Sequence, residues 1–348
     1  MSFARRLWSA GRVTPDDLRQ RLEPFIARES GAAAVRVENL RKLPGGASRE
    51  IWSFDADVGG ERLGLILRRD PGSSTMQTQR REEYRVQQAA FAAGVPVPRP
   101  YWLAEDDAEL GAPSYVMARV EGETLARRLL RDEAYAPARE VMTGQLGAIL
   151  ARIHAVDLAA HDLGFLAAPR PGESPALAEL ERYEQIFRGI APEPHPVFEL
   201  ALRWLRQRLP DATHRALVHG DYRIGNVMFG PEGVRAILDW ELSHVGDPAE
   251  DLGWLCVRAW RFGSDHLPVG GIGRREELLA AYQAAGGTPV DLERVRFWEM
   301  FGNLKWAIIC IAQAKTHLDG LVQSVELASL GRRTAETELE LLALLGEG

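Results

Sequence analysis

The stretch Leu217-Val218-His219-Gly220-Asp221-Tyr222-Arg223-Ile224-Gly225-Asn226, followed by Ile237-Leu238-Asp239-Trp240-Glu241, decides the reading of this chain. A short apolar strand runs into a turn carrying Asp221. Asn226 follows five positions later, and Asp239 ends a second apolar strand thirteen positions after Asn226. Phosphoryl transfer calls for these residue types. One carboxylate orients the attacking hydroxyl and takes its proton late, while an amide oxygen and a second carboxylate hold magnesium against the ATP phosphates. Asp221 is the candidate base, and Asn226 and Asp239 are the candidate metal ligands. Magnesium takes oxygen donors and keeps several waters, so two protein ligands beside ATP suffice. Taken singly, each of these residues reads as a turn residue; the spacing of all three carries the chemistry. Arg223, in the same loop, either approaches the transferring phosphate, stays solvated or pairs with a carboxylate. Glu241 either meets a second metal or its water shell, or caps or pairs with an arginine. The eight histidines are scattered without metal-ligand spacing, so His219 is expected to hold the loop by hydrogen bonds rather than bind zinc.

The order Asp, four residues, Asn, then a strand-ending Asp is that of the protein-kinase catalytic loop, with Gly220 where those kinases usually carry Arg and Asp239-Trp240-Glu241 where they carry Asp-Phe-Gly. Together with Gly246-Asp247-Pro248, the motifs resemble the aminoglycoside phosphotransferase and choline kinase superfamily, small-molecule kinases with a protein-kinase-like fold. Val95-Pro96-Val97-Pro98-Arg99-Pro100, Tyr115-Val116-Met117, Glu121-Gly122, Ile153-His154 and Asp251-Leu252 extend the resemblance over about residues 30 to 320. Phe297-Trp298-Glu299 and Leu304-Lys305-Trp306-Ala307-Ile308 resemble the branch of kinase modules associated with acyl-CoA dehydrogenases.

The resemblance implies an α+β, two-lobed protein-kinase-like fold that uses ATP and Mg2+. Its small β-rich N-terminal lobe, 1–118, holds a leading helix, a nucleotide-covering sheet and one further helix. The larger helical lobe, 119–348, holds the catalytic loop and the substrate site. Gly46 and Ser48, in Leu43-Pro44-Gly45-Gly46-Ala47-Ser48, would close over the ATP phosphates, although the kinase Gly-x-Gly-x-x-Gly spacing is absent. Arg68 stands where kinases carry the phosphate-gripping Lys, a role open to a guanidinium. Glu83 is its expected helical partner, with Glu82 competing. At the hinge, the Ala118 carbonyl and Val120 amide would meet the adenine edge and Met117 would pack near the ring.

Composition bounds these readings. A chain of 348 residues, 46% hydrophobic and 26% charged, can bury one large core or two lobes. A net charge of −7 without a basic stripe argues against a general nucleic-acid binder. Two cysteines, Cys256 and Cys310, exclude a disulfide framework and fit a reducing cytoplasm. No apolar run is long enough to span a bilayer, so no membrane partner is expected.

Along the chain, Thr14-Pro15-Asp16-Asp17 starts a helix expected to run to about Ala27. Strands follow between Val35 and Arg69, a helix at 77–94, and two more strands at Tyr101-Trp102-Leu103 and Ser114-Tyr115-Val116-Met117. Helices are then expected over 123–132, 137–156, 175–188, 196–208, 249–260, 273–285, 291–315 and 320–345.

The acceptor side is the least legible. Six of the nine tryptophans lie beyond residue 119, either as core packing or as a cage for a quaternary amine. Six acids against two arginines between 172 and 200 form either a solvated helix face or an attraction for a cationic antibiotic. Lys305, in an apolar helix, either meets an anionic substrate group or pairs with an acid in 239–251. The branch resemblance favours a small-molecule hydroxyl acceptor of hydroxyacyl or hydroxyacyl-CoA type and a functional link to an acyl-CoA dehydrogenase. An aminoglycoside phosphotransferase is the alternative enzyme, and a nucleotide-binding pseudokinase acting through protein contacts is the alternative of another class.

Overall fold

The computed structural model describes residues 13–43, 50–70, 80–191, 193–211 and 214–346. The chain divides into two compact units, Met1–Glu121 and Gly122–Gly348. The division falls three residues after the boundary read from composition (121 against 118). The Arg119 amide bonds Gly64 O, and its guanidinium bonds Ser53, Phe54 O and Asp55, which ties this residue to the first unit.

In the first unit, α1 (Pro15–Ser30) opens with a Thr14–Asp17 capping box and Pro15 in the first turn. It runs past Ala27 to a left-handed cap at Gly31, where φ is 72°. Five strands follow: β1 (Val35–Leu43), β2 (Glu50–Val58), β3 (Glu61–Arg69), β4 (Pro100–Ala104) and β5 (Ser114–Ala118). They form one antiparallel sheet in the order β1-β2-β3-β5-β4. Strand alternation sorts their side chains. Trp52, Phe54, Leu65, Leu67 and Val116 pack with Leu18, Leu22, Phe25 and Ile26 of α1. Ile66, Tyr115 and Met117 point the other way and pack with Tyr84 of α2 (Arg80–Ala92). A one-turn helix, α3 (Asp107–Leu110), joins β4 to β5.

The second unit is mainly helical: α4 (Ala126–Arg131), α5 (Ala136–His154), α6 (Pro175–Ile190), α7 (Pro196–Gln207), α8 (Ala249–Leu255), α9 (Arg275–Ala284), α10 (Leu292–Leu318), α11 (Val325–Leu330) and α12 (Arg333–Gly346). Two short antiparallel ladders lie among them: β6 (Ala216–Val218) with β9 (His244–Gly246), and β7 (Val227–Gly230) with β8 (Gly233–Ile237). The buried side chains of α10 leave no single polar face through its middle, as expected of a helix surrounded by others. Two expected helices are divided. The 249–260 helix stops at Leu255 and resumes as a 3-10 turn at Arg258–Trp260. The 320–345 helix breaks at Gly331-Arg332 into α11 and α12. Among the described residues no helix is long and apolar enough to cross a membrane.

The α8–α10 contact depends on Gly253, where an added Cβ would sit 2.5 Å from Trp298 Cβ and 2.6 Å from its carbonyl carbon. Gly253→Ala should therefore lower the unfolding free energy by about 1–3 kcal/mol in urea titrations. Gly144→Ala, on an open face of α5 with nothing within 4 Å, should be neutral or stabilising by up to about 1 kcal/mol. Equal behaviour of the two variants would remove the close-approach argument.

Candidate active site

The loop after β6 is held from below by one carboxylate. Asp251, fully buried in α8, accepts the His219 amide at 2.8 Å, the Gly220 amide at 2.9 Å and His154 Nε2 at 3.2 Å. Burial pushes its carboxyl pKa up; the hydrogen bonds from His154 and from the His219 amide outweigh this and hold it below the ordinary value. His219 is the reverse case. Burial dominates and lowers its pKa, keeping the ring neutral, so Nε2–H donates to Leu238 O at 3.0 Å while Nδ1 accepts the Asp221 amide at 3.2 Å. The expected loop-holding role of His219 thus has a geometry.

Gly220 explains the departure from the protein-kinase Arg. Its φ is 79°, and a Cβ there would lie 2.3 Å from Leu242 O. Its carbonyl accepts Lys305 Nζ at 3.0 Å; the same ammonium meets Glu250 Oε1 at 3.0 Å. Of the two readings of Lys305, pairing with an acid in 239–251 is the one observed. Glu250 also accepts His244 Nε2 at 3.1 Å, and Glu179 lies close to both. Burial opposes charging all of these groups. Glu250 and its neighbours nevertheless raise His244 to about 9, and Lys305 and His244 bring Glu250 below its ordinary value.

Asp221 itself receives three donors. Trp254 Nε1 lies 2.9 Å from Oδ1, Arg223 Nε 3.0 Å from Oδ1, and Asn226 Nδ2 2.6 Å from Oδ2. Arg223 therefore pairs with a carboxylate, and its guanidinium also stacks over Trp260 at 4.7 Å. Asn226 Nδ2 also donates to Asp221 O at 2.9 Å, which leaves Oδ1 as the acceptor end of the amide. The Leu238 amide donates to Asn226 O at 2.9 Å, fixing the start of the Asp239 turn next to Asn226. Asp239 has φ 63°, a left-handed conformation uncommon for a side-chain-bearing residue and typical of functional turns. The donor set of one amide oxygen and one carboxylate suits magnesium.

The first unit holds the remaining candidates. Arg68 Nη1 lies 2.8 Å from Glu83 Oε1, so the structure brings these two together. Sequence reasoning missed that Glu83 is shared. Arg80 also pairs with it, and Tyr115 Oη donates to it at 3.1 Å. Arg80, buried and bound to Asp70 as well, carried no motif that marked it. Met117 is buried against Ile66, Tyr84 and Tyr115. The Ala118 amide donates to Arg99 O at 2.8 Å, and the Val120 amide makes no backbone hydrogen bond among the described residues. Gly46 and Ser48 lie outside the described residues.

Asp251→Asn replaces an all-acceptor group with one that also donates, facing three N–H groups. It should destabilise the protein by about 2 kcal/mol or more and speed hydrogen exchange of the His219 and Gly220 amides; unchanged exchange at both would deny Asp251 its role. A second expectation concerns pH. Because His244 is raised from 6.5 to about 9, its stabilisation is fully present below the unfolded value and fades as pH rises through 9. Urea midpoints should fall between pH 7 and 10, and His244→Gln should flatten that fall; parallel profiles would count against a charged His244.

A sequence model described as the phosphotransferase enzyme family matches residues 39–298. Acyl-CoA dehydrogenase family member 11 of Gallus gallus is 30% identical over 346 residues, 92% of this chain and 42% of that protein. Family member 10 of Mus musculus is 29% identical over 288 residues, 78% of this chain and 26% of that protein. The chain thus spans less than half the length of these relatives. Among solved structures, a Ralstonia eutropha JMP134 protein assigned to the aminoglycoside phosphotransferases superposes with TM-score 0.75 at 26% identity, covering 94% of this chain and 98% of that one. A thermostable aminoglycoside phosphotransferase APH(4)-Ia, in ternary complex with ADP and hygromycin B, shares the fold at TM-score 0.56 and 19% identity, covering 94% and 98%. With its kinase-like fold and a family match running from β1 to α10, the chain belongs to the phosphotransferase enzyme family.

Proposed function

We propose that this chain transfers the γ-phosphate of ATP to a hydroxyl of a small molecule, with a hydroxyacyl compound or its coenzyme A thioester as the favoured acceptor. The observation that carries this reading is the single hydrogen-bonded unit formed by Asp221, Asn226 and the Leu238–Asp239 strand end. Asp221 orients the acceptor hydroxyl and takes its proton, and Trp254, Arg223 and Asn226 fix the direction of its carboxylate. Asn226 Oδ1 and the Asp239 carboxylate are the oxygen donors for Mg2+, which when bound neutralises charge on the ATP phosphates. Arg68, steadied by Glu83, is the phosphate-gripping cation of the first unit, and Met117, Ala118 and Val120 are its adenine contacts.

Nucleotide use is supported by relatives of the same fold solved with ADP or AMP-PNP. An acyl acceptor and a functional link to an acyl-CoA dehydrogenase are supported by the names of the sequence relatives. An aminoglycoside acceptor is the second reading, favoured by the hygromycin B complex of a fold relative. Against it, three of the six acids of the 172–200 stretch are paired: Arg182 pairs with Glu179, Arg188 with Glu184 and Glu199, and Arg206 with Glu184. The intact Asp221, Asn226 and Asp239 set weighs against a pseudokinase.

Asp221→Asn should keep Mg-ATP affinity in calorimetry while lowering turnover with a hydroxyacyl-coenzyme A by about 100-fold or more. Undiminished turnover would remove Asp221 as the base. Kanamycin resistance conferred on a sensitive bacterium and abolished by the same substitution would replace the acyl acceptor with the aminoglycoside.

A further inference from the structure

The second unit carries a cavity of about 310 Å3 bordered by α4, the 3-10 turn at Arg258–Trp260, α10 and α12. Its charged lining comprises Arg127, Arg131, Arg258 and Arg333 against Asp265, Glu336 and Glu340. The three carboxylates already have arginine neighbours. Asp265 lies 2.8 Å from Arg258, Glu336 3.7 Å from Arg333, and Glu340 3.8 Å from Arg258 and 3.9 Å from Arg261. Arg127 and Arg131 differ. They sit four residues apart on α4 and so share a helix face. Among the described residues no acidic side chain lies within ion-pair distance of either, whereas Arg128 between them pairs with Glu123 and Asp132.

The apolar wall supplies a second observation. The indole N–H of Trp306, which lines the cavity, is buried without a hydrogen-bond partner among the described residues. So is that of Trp260, whose ring lies 4.9 Å from Trp306. A buried donor without an acceptor is costly and rare, but these two N–H groups have almost no accessible surface, so Trp306 meets the cavity through the rest of its ring. The position also matters. Trp260 carries the Arg223 guanidinium on its face, and Arg223 holds Asp221 at 3.0 Å. The cavity is thus linked to Asp221 through Trp306, Trp260 and Arg223 in turn.

We infer that this cavity is an acceptor subsite for a phosphate-type oxyanion, gripped by Arg127 and Arg131, with Trp306 and Phe262 flanking the apolar part of the same molecule. The assignment rests on Asp221 being the group that receives the acceptor hydroxyl. The planar, permanently charged guanidinium matches phosphate oxygens in pairs, and two on one helix face present such forks side by side. Salt should weaken the attraction, since both arginines are exposed.

Calorimetry on the intact chain without nucleotide tests this, using inorganic pyrophosphate, hydroxybutyryl-coenzyme A and hydroxybutyrate as probes. The two phosphate-bearing probes should bind, the thioester more tightly than the free hydroxy acid. The double variant Arg127→Ala/Arg131→Ala should weaken both about tenfold or more while Mg-ADP affinity and the melting temperature stay as they are. Arg127→Lys/Arg131→Lys, which keeps the charge and loses the fork, should fall between. Undiminished thioester affinity in the alanine variant would overturn the subsite. Binding of pyrophosphate but not of the thioester would make it a site for a free anion and overturn its link to the acceptor. Asp221→Asn separates the two readings. Arginine-dependent thioester binding without any Asp221-dependent phosphoryl transfer would sink the kinase reading, whereas Asp221-dependent transfer with arginine-independent binding would sink the subsite alone.

Discussion

The loop that carries Asp221 depends on a single buried carboxylate that faces three N–H groups. Asp251 binds the amides of His219 and Gly220 and the ring of His154. Without it, two amides at a turn would be buried with no acceptor, because the chain at Gly220 has left the β6–β9 ladder and entered a left-handed conformation. An ionised group serves here better than a neutral one, since it accepts all three bonds and donates none. The arrangement is tolerable in a dry interior only because His154 and the loop amides together offset the burial of the charge.

The same economy recurs around the loop. Lys305 reaches from α10 to the Gly220 carbonyl and to Glu250, with the face of Trp254 4.7 Å from its ammonium. Trp254 in turn donates to Asp221. One turn of α8 therefore carries Glu250, Asp251 and Trp254 toward three parts of the loop, while Gly253 lets that turn approach Trp298 of α10. Asp247 begins the turn by accepting the Ala249 amide at 2.8 Å, and Trp298 Nε1 and Arg294 anchor it to α10. Position of Asp221 and packing of the central helix are the same problem in this unit. A change in α10 far from Asp221 in sequence is felt at Asp221 through Trp254 and Lys305.

Much of this was legible in the sequence, and the reason is local. The spacing of Asp221, Asn226 and Asp239 is fixed by one turn and one hairpin, so the three are brought together whatever the rest of the chain does. The five strands were legible because β2, β3 and β5 carry alternating or continuous apolar runs between turn residues. What escaped was set by distant contacts. The stop at Gly31 is written in the residue type, but the break at Leu255 is not, since Cys256 and Val257 are as apolar as the helix before them. Arg80 looked like one more charge on a helix, and only the fold shows it beside Glu83 and Asp70. Lys305 stands out as a charge in an apolar helix, yet its partners, Glu250 of α8 and the Gly220 carbonyl, are brought to it only by the fold.

Charge placement shows the same limit from the other side. A net charge of −7 and six acids between 172 and 200 suggest a surface that welcomes cations. Pairing cancels much of that field at short range: Glu179, Glu184 and Glu199 each have an arginine within 3 Å. Exposed pairs of this kind add little stability, but at physiological salt they leave little potential beyond about 8 Å for a ligand to feel. Arg127 and Arg131 have no such neighbours among the described residues, although the chain as a whole is acidic. The local sign of a cavity is therefore set by which charges remain unpaired and not by the sum over the chain. On that criterion the cavity at α4 and α12 favours an anion, and an anionic acceptor would be drawn to a face that whole-chain charge describes with the wrong sign.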